Sequence, residues 1–392
     1  MAITINSTPE AYPSMHDDLW YVVTSTNINQ VNFKYVFDVC VNNYLIARIK
    51  TFADPASNKG IFNASNIIRN YWSSYFKPDA AQTQFFSYTG NDIYVSFEIK
   101  YGEEYDGSLY TNLASGNYKA FNFYNPLFRD PSTSYFQTYI SQWLTNRNKS
   151  KLECSMTEHL YVGWMNTAAV TTNLSMTVQK YLPGGATDGS PVTSATAGYQ
   201  SFLLCDLSPV AINYTLNSNV ITSSTYQYGV KINYGGTSSD ELKVLVACNP
   251  KLTPVTLHFL NQLGGYDSFM FRAVNRQIKN IERKQYERTN WQLNNTVMQN
   301  YDSYKKLHEG ANVFSVNQSV TFTLQSDYIT QTDFTWLSEL IASSEVYMEQ
   351  GGYYYPMAIK TSTWTEKVRV ADKMFNMILE VDYGKKLNSQ YR

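Results

Sequence analysis

Four acidic residues crowd into "FEIKYGEEYDG": Glu98, Glu103, Glu104 and Asp106. Glycosidic hydrolysis uses two carboxyl groups several ångströms apart, an acid on one side of the sugar and a base or nucleophile on the other. Glu98 or Glu103 would have to take those parts here. Adjacent acids at a strand-to-turn junction more simply form a solvated rim, and that reading is preferred. The four histidines, His16, His159, His258 and His308, never approach one another or a cysteine at ligand spacing, so no metal site is expected. His258 lies mid-strand in "TLHFL" and reads as a packed strand residue. The chain also lacks a G-x-S-x-G elbow, a P-loop and a G-x-G-x-x-G fingerprint. The expectation is a protein that is not an enzyme and uses no cofactor.

Two further groups of residues suit binding. Arg272, Arg276, Lys279, Arg283, Lys284 and Arg288 lie close together, opposed only by Glu282 and Glu287, with Tyr286 and Trp291 interleaved. Such a stripe matches phosphates and stacks bases. A net charge of -1 is unlike a dedicated nucleic-acid binder, so the stripe reads as a solvated face or as an interface facing a partner's acids. The second group is aromatic. "FLNQLGGYDSFMF" and "EVYMEQGGYYYPMAI" each carry rings beside a glycine pair, at Gly264-Gly265 and Gly351-Gly352. Tyr266, Phe269, Phe271, Tyr353, Tyr354 and Tyr355 are therefore candidate contacts to another subunit or to a ligand. In a strand Tyr353 and Tyr355 share one face and Tyr354 takes the other. Such rings also stack on sugars, so a host-surface glycan is a second class of partner, with binding expected to fall when Tyr354 or Trp364 becomes Ala.

The elements that would hold these residues are mostly strands. "NFKYVFDVCV" alternates, with Phe33, Tyr35, Phe37, Val39 and Val41 on one face, and Asn42-Asn43 turns it into "YLIARIKTF". A short helix follows Ser65 as a possible cap, with Ile67, Ile68, Tyr71 and Trp72 at helical spacing. "DIYVSFEIKY" resumes period two. "NLSMTVQKY", "FLLCDL", "QYGVKINY" and "ELKVLVAC" are further strands, separated by loops such as "LPGGATDGSP". "NRQIKNIERKQYER" fits either helix or strand. "TDFTWLSELIAS" predicts a helix capped by Thr332, and "KMFNMILEVDY" a closing strand with Phe375, Met377, Leu379 and Val381 on one side.

The fold class expected is mainly β, with two or three β-sandwich-like domains and a few short helices. The division is an N-terminal arm over 1–20, a β-rich domain over 21–160 with a helix near 65–76, a Thr/Ser-rich sandwich over 161–250, and a C-terminal β-rich domain over 251–392 with a helix near 333–342. The arm lacks periodicity and is expected to order only across a neighbour. Charged residues make up 16% of the 392 residues, against about 25% in a typical globular domain, while aromatics reach 15% with 33 tyrosines. A surface of hydroxyls and amides is cheaper to desolvate than one of full charges, which favours broad contact with neighbouring subunits. The N-terminus has no secretory pattern, no apolar run suits a membrane span, and Cys40, Cys154, Cys205 and Cys248 are spaced as buried thiols of a reducing compartment.

Three stretches carry a resemblance. "INSTPEAYPSMHDDLWYVVTSTNINQVNFKYVFDVCVNNYLIARIKTFADPASNKGIFNASNIIRNYW", "FLNQLGGYDSFMFRAVNRQIKNIERKQYER" and "WLSELIASSEVYMEQGGYYYPMAIKTSTWTEK" together resemble structural proteins of tailed bacteriophages that infect Bacteroidetes. They lie toward both ends of the chain, and none is a catalytic signature. The resemblance implies a β-rich, non-enzymatic tail or baseplate subunit. It further implies a place in the virion after synthesis in the host cytoplasm. Its partners would be other copies of itself and neighbouring virion proteins.

Overall fold

Asn42 and Asn43 both take left-handed backbone conformations, at φ 50° and 68°. Asparagine tolerates that region and two such residues in succession match the twist of adjoining strands. The strand Lys34–Val41 therefore folds directly back onto Tyr44–Thr51, with Val41 opposite Tyr44. In this computed structural model the described residues are 3–10, 12–72, 76, 78, 84–87, 94–123, 141–166, 173–198, 202–247, 252–287, 291–294, 297–300, 311–361 and 375–384. The molecule is mainly β, built from several sheets with a few short helices. It divides into two compact units, the first comprising Met1–Asn249 with His258–Ser268, the second Pro250–Leu257 with Phe269–Arg392.

Two sandwiches form the first unit. In one, a sheet ordered Tyr44–Thr51, Lys34–Val41, Tyr94–Tyr105, Ser108–Phe121 packs on a sheet ordered Ile3–Ser7, Trp20–Ser25, Gly60–Asn63. Tyr35, Phe37, Val39, Phe97 and Ile99 meet Ile3, Tyr21, Val23 and Phe62 in a common core. Phe37 stacks on Phe62 with centroids 5.0 Å apart, and burying each such ring contributes about 1.5–3 kcal/mol. The segment before Trp20 is not an arm awaiting a neighbour. Ile3–Ser7 pairs antiparallel with Trp20–Ser25, and Ile3, Met15 and Leu19 are buried. Ile3, Met15 and Leu19 are spread too widely among polar residues to give a readable period, yet each fills a place in the core.

In the other sandwich, Met176, Val178, Tyr228, Val230, Ile232 and Val244 come from the sheet that includes Ser175–Tyr181, Gln227–Tyr234 and Leu242–Val246. They pack against Trp143, Val162, Trp164, Leu203 and Cys205 of the sheet that includes Ser141–Leu144, Tyr161–Asn166 and Phe202–Asp206. The segment expected as one long loop, "LPGGATDGSP", turns only over Leu182 to Ala186. Thr187–Thr193 is an edge strand, a position where Pro191 needs no ladder donor. The helix Pro209–Leu216 was not anticipated. Ser208 caps it by accepting from the Ala211 backbone N–H, and proline occupies its first turn. Cys40, Cys154 and Cys205 are buried, and burial pushes the Cys205 thiol well up. Cys248 lies outside the described residues.

The second unit is organised on the strands Val346–Gln350, Tyr353–Ile359, Ile378–Tyr383, Ala311–Gln325 and Arg276–Glu287, neighbours in a sheet in that order. Phe375, Met377, Leu379 and Val381 are all buried, as their period requires. The expected C-terminal helix is two short ones, Gln331–Trp336 and Ser338–Ala342, and its cap is Thr330, whose hydroxyl accepts from the Asp333 N–H. The helix after Asn63 runs only over Ser65–Asn70 with Ala64 at the cap, since the Asn63 carboxamide already accepts from the Ser65 N–H. Among the described residues no helix is long and apolar enough to cross a membrane.

Candidate assembly surfaces

The acids of "FEIKYGEEYDG" do not converge. Along Tyr94–Tyr105 the register sets Glu98 opposite Cys40 and Glu103 opposite Tyr35, so the two carboxylates lie on opposite faces of the sheet. Glu103 is buried, where Ser25 Oγ and Asn27 Nδ2 donate to it (the latter at 2.7 Å). Glu104 is joined to Lys50, whose ammonium holds its carboxyl below the usual range. A sugar flanked by Glu98 and Glu103 would need the sheet between them removed.

The histidines are separate too. His16 Nε2 lies 2.5 Å from Asn122 Oδ1, His159 Nδ1 2.6 Å from Asp206 Oδ2, and His258 Nδ1 2.7 Å from Ser268 Oγ. His258 and Ser268 resemble a base and nucleophile on paper. Both are buried, however, Phe76 stacks on the imidazole at 5.4 Å, and Ser268 Oγ accepts from the Tyr161 N–H at 2.8 Å. The pair is a structural knot with no surface to offer a substrate. Among the described residues no three metal-binding side chains come together. His308 and Trp364 lie outside the described residues.

The hairpin around Gly264-Gly265 differs from its expected role. Asn261 closes the turn: its Oδ1 accepts from the Leu263 and Gly265 N–H groups, and its Nδ2 donates to the Leu144 carbonyl at 2.7 Å. A Cβ on Gly264 would lie 2.6 Å from the Asn122 carbonyl oxygen, and one on Gly265 would lie 2.8 Å from Leu144. Close backbone approach, beyond the turn itself, is what demands two glycines. Tyr266, Phe269 and Phe271 are correspondingly buried within the chain. Tyr266 packs on Phe76 at 4.9 Å, and Phe269 meets Phe271 edge-on at 5.0 Å. As candidate contacts to another subunit these three are corrected: their area is already covered.

Gly351-Gly352 makes the opposite kind of hairpin. Gln350 pairs with Tyr353 across the two glycines, and nothing lies within 4 Å of a Cβ on Gly351. Tyr353 is 69% exposed and Tyr355 39%, on one face, while Tyr354 on the other is half-buried. Tyr353 and Tyr355 offer surface to a partner.

A longer exposed stretch was only half legible in the sequence. "RQIKNIERKQYE" resolves as a strand, Arg276–Glu287, and every one of its side chains is exposed. It pairs with Ala311–Gln325 from Arg276 opposite Thr323 to Glu287 opposite Ala311, with one register shift between Lys284 and Gln285 where Phe314 is an extra residue of the partner strand. The next strand, Ile378–Tyr383, reaches only Thr321–Gln325. Among the described residues the sheet from Lys279 outward is thus a two-stranded ribbon, roughly 30 Å long at about 3.3 Å per residue. Ile278, Ile281, Tyr286 and Phe314 are about half exposed on it. Two-stranded ribbons are marginal in water without a third strand or cover. Of the basic cluster, Arg276, Lys279, Arg283 and Lys284 stand on this strand, and Arg288 lies outside the described residues.

No protein-family model matches this chain, and no curated protein matches it.

Proposed function

We propose that the chain is a non-enzymatic structural subunit of a tailed-bacteriophage virion, placed in the tail or baseplate. It joins other copies of itself and neighbouring virion proteins through open β edges. The observation that carries this reading is the ribbon of Arg276–Glu287 and Ala311–Gln325, whose outer strand is exposed along its whole length and, among the described residues, has no strand on its outer edge. A ribbon of this length keeps apolar groups in water unless something covers it. The sequence resemblance to phage structural proteins names the setting in which that cover is found. The decisive experiment is to purify particles and measure whether the chain is present at fixed stoichiometry. Replacing residues 281–318 by Asn-Gly, which rejoins the opposed Asn280 and Ser319 by a two-residue turn, should leave a folded protein that no longer enters particles. Absence of the chain from particles, or undiminished entry of the shortened chain, sinks the reading.

One observation favours a second reading, a glycan-binding protein of the virion surface. Tyr353 and Tyr355 expose rings on one face of a hairpin, the arrangement on which a sugar's CH face stacks. Saturable binding of host capsular polysaccharide, lost in Tyr353→Ala, would support it; no binding to a panel of such polysaccharides removes it.

A further inference from the structure

We infer that the free edge of Arg276–Glu287 pairs antiparallel with the same strand of a second copy, with Arg283 meeting its own counterpart on the two-fold axis. This rests on the reading of the ribbon as an assembly arm and names its partner. Three observations lead to it.

Among the described residues the edge itself is open. Arg276–Glu287 ends the sheet order, so its outward backbone N–H and C=O groups face away from Ala311–Gln325. Such a row is a template for another strand. Backbone geometry then limits the choice. In an antiparallel ladder two opposed residues either exchange both bonds or neither. Alternate residues of one strand point their bonds to the same side. Two identical regular strands therefore pair only when opposed residues differ by an even number of positions, which places a residue, not a peptide bond, on the axis.

Charge selects among the remaining registers. The partner strand Ala311–Gln325 contains no charged residue, so the ribbon offers no opposite charge across its own ladder. With Arg283 on the axis, Glu282 faces Lys284 and Glu287 faces Lys279, and two-fold symmetry repeats each rung. The overlap then runs from Lys279 to Glu287, the two-stranded part of the ribbon. One like pair, Arg283 with its copy, is the cost. Moving the axis to Ile281 sets Lys279 against Arg283 twice, and moving it to Glu282 sets that carboxylate against itself. An axis at Gln285 matches Arg283 to Glu287 but overlaps only Arg283 to Glu287 within the strand. The Arg283 register joins opposite charges over the longest overlap.

The test is sedimentation of the full chain over a range of concentrations. Wild type should form a dimer. Glu282→Lys or Lys284→Glu alone should each weaken it by about tenfold, because two rungs change from attraction to repulsion. The double variant Glu282→Lys with Lys284→Glu should return to within about threefold of wild type, since the rungs are re-formed with their ends exchanged. Arg283→Thr should tighten the dimer. A short bis-maleimide should link Arg283→Cys into a covalent dimer and leave Gln277→Cys unlinked. Unchanged thermal melting of each variant separates these effects from misfolding. A wild type that stays monomeric throughout, or a double variant no better than the singles, overturns the pairing. A monomer that still enters particles overturns the pairing alone; absence from particles overturns the virion reading alone.

Discussion

Two hairpins in this chain turn on a glycine pair and carry aromatic rings beside it, yet they do opposite things. Around Gly264-Gly265 the turn is tied by Asn261, the glycines lie against backbone, and Tyr266, Phe269 and Phe271 are covered. Around Gly351-Gly352 the first glycine borders open space and Tyr353 stands in solvent. One pair of glycines is needed because something is near; the other because two residues with positive φ close the tightest hairpin. A glycine beside tyrosines therefore says nothing about exposure until its neighbours in space are known.

That contrast is breakable by measurement. The largest expected effect is at the rings: Phe271→Ala should cost about 3–5 kcal/mol in urea denaturation, as truncation of a buried phenylalanine does. Tyr353→Ala should stay within about 0.5 kcal/mol. Equal losses at both sites would erase the distinction. Next come the glycines. Gly264→Ala adds a methyl against the Asn122 carbonyl at φ 78°, and should destabilise by about 3 kcal/mol. Gly351→Ala meets only the left-handed backbone penalty of about 1 kcal/mol. Asn261→Ala, which leaves the Leu263 and Gly265 N–H groups without their buried acceptor, should cost about 1–3 kcal/mol.

The smallest effect concerns phenols. Burial first, and then the hydrogen bond donated to Glu241, push Tyr181 up to about 12, and burial raises the enclosed Tyr228 well above its ordinary value. An unfolded phenol ionises near its ordinary value of about 10. The unfolded state then sheds its protons first, so the contribution is whole below pH 10 and declines as pH rises toward 12. Urea midpoints at rising alkaline pH should fall, and fall less steeply in Tyr181→Phe.

Much of the architecture was legible because local geometry and long-range packing agree. Asn42-Asn43 and Gly351-Gly352 supply the backbone that a two-residue hairpin needs, and alternation in Ile378–Tyr383 marks its covered side. Where local pattern and packing separate, the reading fails. Ile278 and Ile281 are three apart, as on a helix, but pairing with Ala311–Gln325 makes their segment a strand. Phe269 and Phe271 share a strand face whose cover, Trp336 among it, lies far along the chain, so no local period distinguishes a buried ring from a bare one. Glu98 and Glu103 fail for a simpler reason: an odd separation on a regular strand puts them on opposite sides. Ser208-Pro209 did announce its helix, and the Thr/Ser-rich composition around it obscured the signal.

The piece His258–Ser268 belongs with a unit whose remaining sequence is complete at Asn249. On the ribosome, the earlier unit must wait for residues made after it has otherwise emerged. Until Asn261 reaches the Leu144 carbonyl and Ser268 reaches Tyr161, that unit keeps an unfinished seat. A protease cutting once near residue 250 therefore cannot release two self-sufficient halves, and a nascent chain stalled there would be bait for chaperones.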